Sequence, residues 1–195
     1  SSKPQVLPAS VIGTNGVIVD ETPAEAFALL WAPSPGMKGG QAIAEIILGE
    51  TEPSGRLPIT FTHAGQLPVY YNQIRGQHGN RYADLTQDPA FAFGEGLSYT
   101  TFEYGEPTVT NVPESGAFGE TDTVHAEITL TNTGDRKGTE VVQLYIANRD
   151  LLQLDGRELK AFQRVELEPG ESETVAFDIP FPIAPSSILK LTESL

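Results

Sequence analysis

Residues 124–131 read VHAEITLT and alternate strictly between apolar and polar side chains. A period of two is typical of a β-strand that buries one face and exposes the other. Similar alternation recurs further along the chain, and turn-forming residues lie between the stretches. The later stretches are residues 141–146, 162–167 and 175–179. Short strands separated by turns predict an antiparallel β-sandwich in the second part of the chain.

The first part of the chain mixes helical and extended patterns. Thr22 and Pro23 are suited to the cap and first turn of a helix, and they predict a helix over residues 24–30. A second helix is predicted over residues 41–48, because apolar side chains recur on one helical face and Gly49 follows them. This part is therefore predicted to be α/β.

The change of pattern divides the chain into two predicted domains. Residues 59–61 predict a short strand, whereas residues 63–99 show no strong periodicity. A loop of that length inside a compact domain is usually functional or wraps around a neighbour. We place the α/β part with its linker at residues 1–104 and the all-β part at residues 105–195.

The composition argues against several classes of function. A net charge of −14 repels phosphate groups, so nucleic acid and membranes are not expected as partners, whereas a neutral sugar is compatible. The absence of cysteine excludes disulfides, thiolate metal sites and thiol catalysis. No apolar run approaches the roughly 18 residues of a membrane-spanning helix. No signal peptide is visible, which favours a cytoplasmic location and leaves the compartment open.

Three motifs follow one another along the first part of the chain. They are Gly36-Met37-Lys38-Gly39-Gly40-Gln41, Pro53-Ser54-Gly55-Arg56-Leu57-Pro58 and Phe93-Gly94-Glu95-Gly96-Leu97-Ser98-Tyr99-Thr100. Together with residues 67–72 and 81–84, they resemble the C-terminal portion of family 3 glycoside hydrolases of the β-glucosidase type. Residues 132–135, 140–145 and 159–162 resemble the fibronectin type III-like domain at the end of these enzymes. The resemblance implies a partial α/β sandwich domain followed by a fibronectin type III-like β-sandwich.

The family resemblance also implies a reaction that this chain does not carry alone. A retaining glycosidase needs two carboxylates, one as nucleophile and one as acid/base. In the family these are an Asp in a barrel domain and, in many members, a Glu upstream of the matching segment. Glu95 lies between Gly94 and Gly96, yet its neighbours match the linker motif, so we interpret it as structural. We therefore expect the complete enzyme to release terminal non-reducing β-linked sugars and the isolated chain to be inactive.

A substrate-facing loop is predicted within residues 72–84. Five of its side chains could donate hydrogen bonds to a sugar or stack against one: Asn72, Arg75, His78, Arg81 and Tyr82. The alternative interpretation is an interdomain loop whose arginines pair with nearby acids, which is a common surface arrangement. No cofactor is expected. The three histidines lack the spacing of a zinc site, so no metal is expected either, and His125 is predicted on a solvated strand face.

The junction between the two parts is rich in aromatic residues. Five of them fall within fourteen residues, and we expect them to pin the linker and dock the β-domain rigidly. They are Phe91, Phe93, Tyr99, Phe102 and Tyr104. Arg56 has a rigid fork suited to a buried carboxylate or a group of carbonyls.

Two further questions stay open from the sequence. The tail after Pro180 departs from the family pattern, so the sandwich is either short of one or two strands or has a replaced tail. An unfinished edge would favour pairing with the remaining domains of the enzyme or with another copy as a homo-oligomer. The competing function is a stand-alone, non-catalytic β-module that binds carbohydrate or another protein.

Overall fold

The computed structural model describes residues 9–12, 28–63, 71, 89–113, 121–147, 157–180 and 188–191. Its first part contains two strands, β1 (Ala9–Ile12) and β2 (Ala28–Trp31), and one helix, α1 (Gly39–Ile47). The two strands pair in parallel, with Val11 opposite Leu30. No helix in these described ranges has the length and apolarity needed to cross a membrane.

The structure corrects the predicted helix over residues 24–30. Residues 28–30 belong to β2, and residues 24–27 lie outside the described residues. The run Ala28-Leu29-Leu30-Trp31 is apolar throughout, so it contains no polar gap that would define one helical face. Periodicity cannot separate such a run from a strand, and pairing with β1 decides the outcome here.

The second predicted helix is confirmed, although its apolar face is only partly covered. Gly49 follows α1 with a φ of +74°, and its N–H donates to the Ile46 carbonyl, as in a helix C-terminal cap. Ile43 and Ile46 are half-buried, whereas Ile47 remains 52% exposed. The helix therefore presents apolar surface that the described part of the chain does not cover.

In place of the strand predicted over residues 59–61, the structure has bridge pairing at the last of these residues. Phe61 pairs with Phe91 in an isolated antiparallel bridge and is only 2% exposed. Its ring meets Trp31 and Phe91 edge to face, with centroids 5.5 Å and 6.5 Å away. Edge-to-face contacts of this kind stabilise aromatic clusters beyond the area that they bury.

The second part folds into two antiparallel sheets, and residues 102–104 at the end of the predicted first part contribute a strand to one of them. One sheet has β5 (Thr123–Asn132) at its centre, with β3 (Phe102–Tyr104), β4 (Thr108–Thr110) and β8 (Ser172–Pro180) all paired to it. The other sheet has the order β7-β6-β9, formed by β7 (Arg157–Leu167), β6 (Gly138–Ala147) and β9 (Ile188–Leu191). The predicted strands over 124–131, 141–146, 162–167 and 175–179 are confirmed.

The core of the sandwich consists of the apolar members of the alternating pattern. Eleven buried residues from four strands form one cluster between the sheets. They are Ala126, Ile128, Leu130, Val142, Leu144, Ile146, Val165, Leu167, Val175, Phe177 and Ile179. Removing such side chains from water contributes about 1.5–3 kcal/mol each for the larger ones. The period-two pattern therefore identifies the buried faces of β5, β6 and β8 correctly, whereas on β7 the apolar Phe162 lies on the other face and is 64% exposed.

The tail after Pro180 contributes a strand to the sandwich. Within it, β9 pairs with β6 over Leu144–Ala147, whereas residues 181–187 and 192–195 lie outside the described residues. This pairing favours the second of the two sequence alternatives, in which the tail is replaced rather than missing. The rest of the same edge of β6, from Gly138 to Gln143, is left for other groups to cover.

A buried asparagine closes one end of the sandwich. Asn132, at the end of β5, has no exposed surface. Its side-chain amide donates to the carbonyls of Arg136 and Leu167 at 2.8 Å and 3.0 Å. Its carbonyl Oδ1 accepts hydrogen bonds from the Thr100 hydroxyl at 2.8 Å and from the Gly134 N–H at 3.1 Å. One side chain thus joins the linker, the β5–β6 turn and the end of β7.

We predict that Asn132→Ala destabilises the chain by roughly 3 kcal/mol or more, because each buried group left unpaired costs about 1–3 kcal/mol. Chemical denaturation of the purified chain measures the difference. Thr131→Ala is the matched control, since it removes the exposed hydrogen bond to Ser172 from the neighbouring position. That variant should lose less than about 1 kcal/mol. Equal losses in both variants would contradict the role assigned to Asn132.

Candidate functional site: the junction between the two parts

The predicted substrate-facing side chains lie outside the described residues. These are Asn72, Arg75, His78, Arg81 and Tyr82, so their placement stays a prediction. The residue before them, Tyr71, is described and stacks on Phe93 with ring centroids 4.1 Å apart and an interplanar angle of 17°. Its hydroxyl also accepts a long hydrogen bond, 3.4 Å, from the Leu159 N–H of β7. Tyr71 is thereby fixed to both the linker and the sandwich.

Glu95 takes part in the turn that contains it. Its carboxylate accepts a hydrogen bond of 2.7 Å from the Ala92 N–H, three residues earlier. Its backbone carbonyl accepts another of 2.8 Å from the Leu57 N–H. These contacts hold the Phe93–Gly96 turn against the segment around Arg56.

A buried ion pair connects the two parts of the chain. Nη2 of Arg56 lies 2.5 Å from Oε2 of Glu140 on β6, and the two side chains are only 9% and 10% exposed. Burial, followed by the nearby Glu140 carboxylate, raises the pKa of the Tyr104 phenol far above its ordinary value. Tyr104 therefore stays neutral beside this pair. The sequence offered a buried carboxylate or a group of carbonyls as partners of the Arg56 fork, and the structure shows the Glu140 carboxylate together with the Gly55 carbonyl.

Carboxylates also cover the edge of β6 that β9 leaves open. Glu52 accepts a hydrogen bond of 2.6 Å from the Thr139 N–H, and its other oxygen accepts one from the Ser98 hydroxyl. Two positions further along, the Val141 N–H donates to the Glu140 carboxylate at 3.0 Å. Exposed strand edges pair readily with other chains. At Thr139 and Val141, side-chain oxygens take the place of a neighbouring strand.

The outer face of β6 holds the turn around Gly94. Nε2 of Gln143 donates to the Gly94 carbonyl at 3.0 Å, and the Tyr145 hydroxyl donates to Oε1 of Gln143 at 2.6 Å. Burial, with a smaller contribution from Tyr71, raises the pKa of Tyr145 to about 12. The phenol is therefore protonated at neutral pH and remains available as a donor.

Further polar contacts extend the junction at both ends. Arg164 of β7 donates to the Ser54 hydroxyl at 2.7 Å. At the other end, the Tyr99 hydroxyl donates to the Ile46 carbonyl of α1 at 2.7 Å, and the Arg136 guanidinium lies 5.9 Å from the Tyr99 ring centroid. Cations in this position are attracted by the aromatic face. Hydrogen bonds, the Arg56–Glu140 ion pair and this cation–π contact thus join the two parts over the length of the described linker.

The aromatic side chains of the linker are less buried than the sequence predicted. Phe91, Phe93, Phe102 and Tyr104 are half-buried, and Tyr99 is 42% exposed. The linker is docked, but polar groups account for much of the docking. Sequence reasoning missed Glu52, Glu140 and Gln143 as partners. For Glu140 a signal was present, because a charged residue occupies the buried register of β6 between Gly138 and Val142.

No group of three or more potential ligands among the described residues is arranged to hold a metal ion. The contacts of Glu52, Glu95 and Glu140 engage these carboxylates with backbone, hydroxyl or guanidinium donors. What the junction can do chemically is position one segment against another.

We predict that Gly94→Ala loosens the junction. Gly94 has a φ of +83°, and an added Cβ would lie 2.5 Å from Oε1 of Gln143 and 2.6 Å from the Tyr145 hydroxyl. Gly170→Ala is the matched control, because Gly170 has a φ of +77° and open space at its Cβ. Both variants carry the backbone strain of about 1–3 kcal/mol, and Gly94→Ala should cost measurably more in chemical denaturation. Identical losses would show that the close approach of Gly94 to β6 is unimportant.

The ion pair provides a separate prediction for a double-mutant cycle. Arg56→Met or Glu140→Gln alone should cost about 3–5 kcal/mol, because each leaves a buried group without its partner. The double variant should cost clearly less than the sum of the two single variants. The control cycle uses Lys137 and Glu166, an exposed pair 2.7 Å apart, where coupling should stay below about 1 kcal/mol. Additive losses at Arg56 and Glu140 would rule out the proposed coupling.

Comparisons with known proteins agree with the fold and the motifs. Residues 6–99 match the glycosyl hydrolase family 3 C-terminal domain, and residues 140–182 match the fibronectin type III-like domain. The chain is 35% identical over 191 residues to a periplasmic β-glucosidase of Salmonella typhimurium, covering 92% of this chain and 24% of that protein. It is 43% identical over 157 residues to a β-xylosidase of Formosa agariphila, covering 75% and 20%.

A solved structure shows the same similarity. A β-glucosidase from intestinal bacteria, described as involved in saponin metabolism, is 68% identical with a TM-score of 0.73, over 84% of this chain and 22% of that one. The chain spans about a quarter or less of the length of these relatives. The predicted fold class, α/β followed by all-β, is confirmed. The chain carries a glycosyl hydrolase family 3 C-terminal domain followed by a fibronectin type III-like domain, in the arrangement of the C-terminal portion of β-glucosidase-type enzymes.

Proposed function

We propose that the chain serves as the structural, cleft-completing C-terminal portion of a family 3 glycoside hydrolase that releases terminal non-reducing β-linked sugars with a retaining mechanism. The observation that carries the proposal is the match of both parts of the chain to relatives named β-glucosidase and β-xylosidase, of which it spans a quarter or less. Because both kinds of relative match, the proposal specifies a β-linked sugar and leaves glucose and xylose as alternatives.

The contacts of the described carboxylates support a non-catalytic role for this portion. A retaining glycosidase holds its two carboxyl groups roughly 5–5.5 Å apart, facing the scissile bond from opposite sides. Glu52 instead accepts the Thr139 N–H, Glu95 accepts the Ala92 N–H, and Glu140 pairs with Arg56. Each of these three carboxylates thus has an oxygen engaged in a contact within the chain. The proposal therefore assigns the catalytic pair to other domains of the enzyme.

The uncovered surface of the first part supports a partner role for those other domains. Around α1, Met37 is fully exposed, and Leu48 and Leu97 are 72% and 86% exposed. Furthermore, β1 and β2 form a parallel pair, and parallel strands in proteins are normally covered on both faces. We infer that the remaining domains of the same enzyme pack against this surface and complete the α/β layer. The substrate then binds at the cleft of the assembled enzyme.

The activity of the purified chain tests the proposal directly. We predict no turnover of aryl β-glucosides or aryl β-xylosides above the buffer blank, because the proposal assigns the nucleophile and the acid/base to other domains of the enzyme. The matched control is the same chain with Glu95→Gln. Turnover by the parent that the variant lacks would show that Glu95 is catalytic and would contradict the proposal.

A chimera tests the positive half of the proposal. The corresponding segment of the intestinal bacterial β-glucosidase, 68% identical to this chain, would be replaced by residues 1–195. The chimera should hydrolyse aryl β-glucosides, whereas the same enzyme with the segment deleted should not. An inactive but folded chimera would contradict the cleft-completing role. If the chimera were inactive and the isolated chain bound β-glucan, the alternative function would be the better interpretation. That alternative is a stand-alone, non-catalytic β-module that binds carbohydrate.

A further inference from the structure

A histidine on the outer face of the sandwich has a carboxylate at each ring nitrogen. Nδ1 of His125 on β5 lies 2.6 Å from Oδ1 of Asp178, the residue directly opposite it on β8. Nε2 lies 2.8 Å from Oε1 of Glu127, two residues along β5. The His125 side chain is 29% exposed, and the Glu127 and Asp178 side chains are 46% and 73% exposed. The cluster therefore lies at the surface, clear of the junction.

The protonation state of His125 follows from this geometry. An ionised carboxylate only accepts hydrogen bonds, and a neutral imidazole donates from only one of its two nitrogens. Both contacts can be hydrogen bonds only when the ring carries two protons and a positive charge. Loss of one proton turns one contact into two facing lone pairs. Both hydrogen bonds therefore form when the His125 ring is positively charged, and only one of them can form when the ring is neutral.

Apart from Asp178, the described residues paired with His125 on the two neighbouring strands carry no charge. On β4, the residue opposite His125 is Thr110, and the described residues of β4 are Thr108, Val109 and Thr110, none of them charged. On β8, Asp178 is the ionisable residue that faces the ring. Because Asp178 is two residues from the end of β8 at Pro180, the contact lies at the terminal part of the β5–β8 ladder.

We propose that His125, Glu127 and Asp178 form a proton-dependent clasp that holds the C-terminal end of β8 to β5. Hydrogen bonds to Asp178 first, and to Glu127 second, raise the pKa of His125 above its ordinary value of 6.5. A raised pKa in the folded state means that the stabilisation is complete below about pH 6.5 and is lost as the pH rises through the folded-state pKa. Above that window the end of β8 opens more readily, while the rest of the ladder is unchanged.

Amide hydrogen exchange of the full chain, with NMR titration of His125, tests the clasp. Protection factors of residues 177–179 should fall roughly two- to fivefold, relative to residues 173–175, when the pH rises through the pKa of His125, as expected for an exposed ion pair. Asp178→Asn should lower the pKa of His125 and remove most of this difference. Glu173→Gln is the matched control, because it removes the same charge from the same strand opposite Leu130.

The outcomes separate the clasp from ordinary surface charge. The clasp is supported if the pH-dependent decrease in protection is confined to residues 177–179. This decrease should disappear in His125→Gln and in Asp178→Asn and remain in Glu173→Gln. Uniform loss of protection along β8, or a pKa of His125 that Glu173→Gln lowers as much as Asp178→Asn, would overturn the clasp. The experiment is independent of any glycosidase activity, so its result and the fate of the proposed function are distinguishable.

Discussion

The desolvated side chain of Asn132 is the constraint on which the junction end of the sandwich depends. Its amide and carbonyl make hydrogen bonds to four groups, and its backbone exchanges hydrogen bonds with Gly170 and Glu171 in the β7–β8 turn. A buried polar group is tolerated only when its hydrogen bonds are made. The β5–β6 turn, the β7–β8 turn and the linker at Thr100 must therefore meet at one point. Apolar packing alone would specify neither turn.

The position of Asn132 also determines the polar character of the junction. β3 begins at Phe102, two residues after Thr100, and pairs with β5 at Asn132 itself. The chain before it is consequently held along β6, where Glu52 and Glu140 accept edge N–H groups and Arg56 neutralises Glu140. An unpaired charge at the buried position of Glu140 would otherwise carry a large desolvation cost. The Arg56 guanidinium compensates the charge of the Glu140 carboxylate beside the edge of β6. It also joins the first part of the chain to the second.

How much of this could be predicted depends on the range of each interaction. The alternation of Val124 to Leu130 is local, so the strands and their buried faces were predictable, as was α1 from its apolar face and Gly49. Residues 28–30 were mispredicted as helix because they pair with β1, which is distant in the sequence. An apolar run gives no indication of such a partner. Phe93 and Tyr99 were expected to be buried, yet the linker docks through Gln143 and Glu52, whose partners lie 49 and 87 residues away in the chain. The spacing of residues along the sequence does not predict such distant pairs. The resemblance identified the family because it depends on the motifs and their order along the chain, and not on which residues make contact.

The same polar junction suits a portion that must keep a fixed orientation within a larger enzyme. Apolar contacts tolerate sliding, whereas the Arg56–Glu140 pair and the Gln143–Gly94 hydrogen bond specify direction as well as distance. The Tyr71–Phe93 stack and the Leu159 contact extend this orientation to the residue that precedes the predicted substrate-facing side chains. A sandwich held in this way can determine where residue 71 lies without touching a sugar. Under the proposed function, this is a physical reason for the fibronectin type III-like domain to accompany the rest of the enzyme.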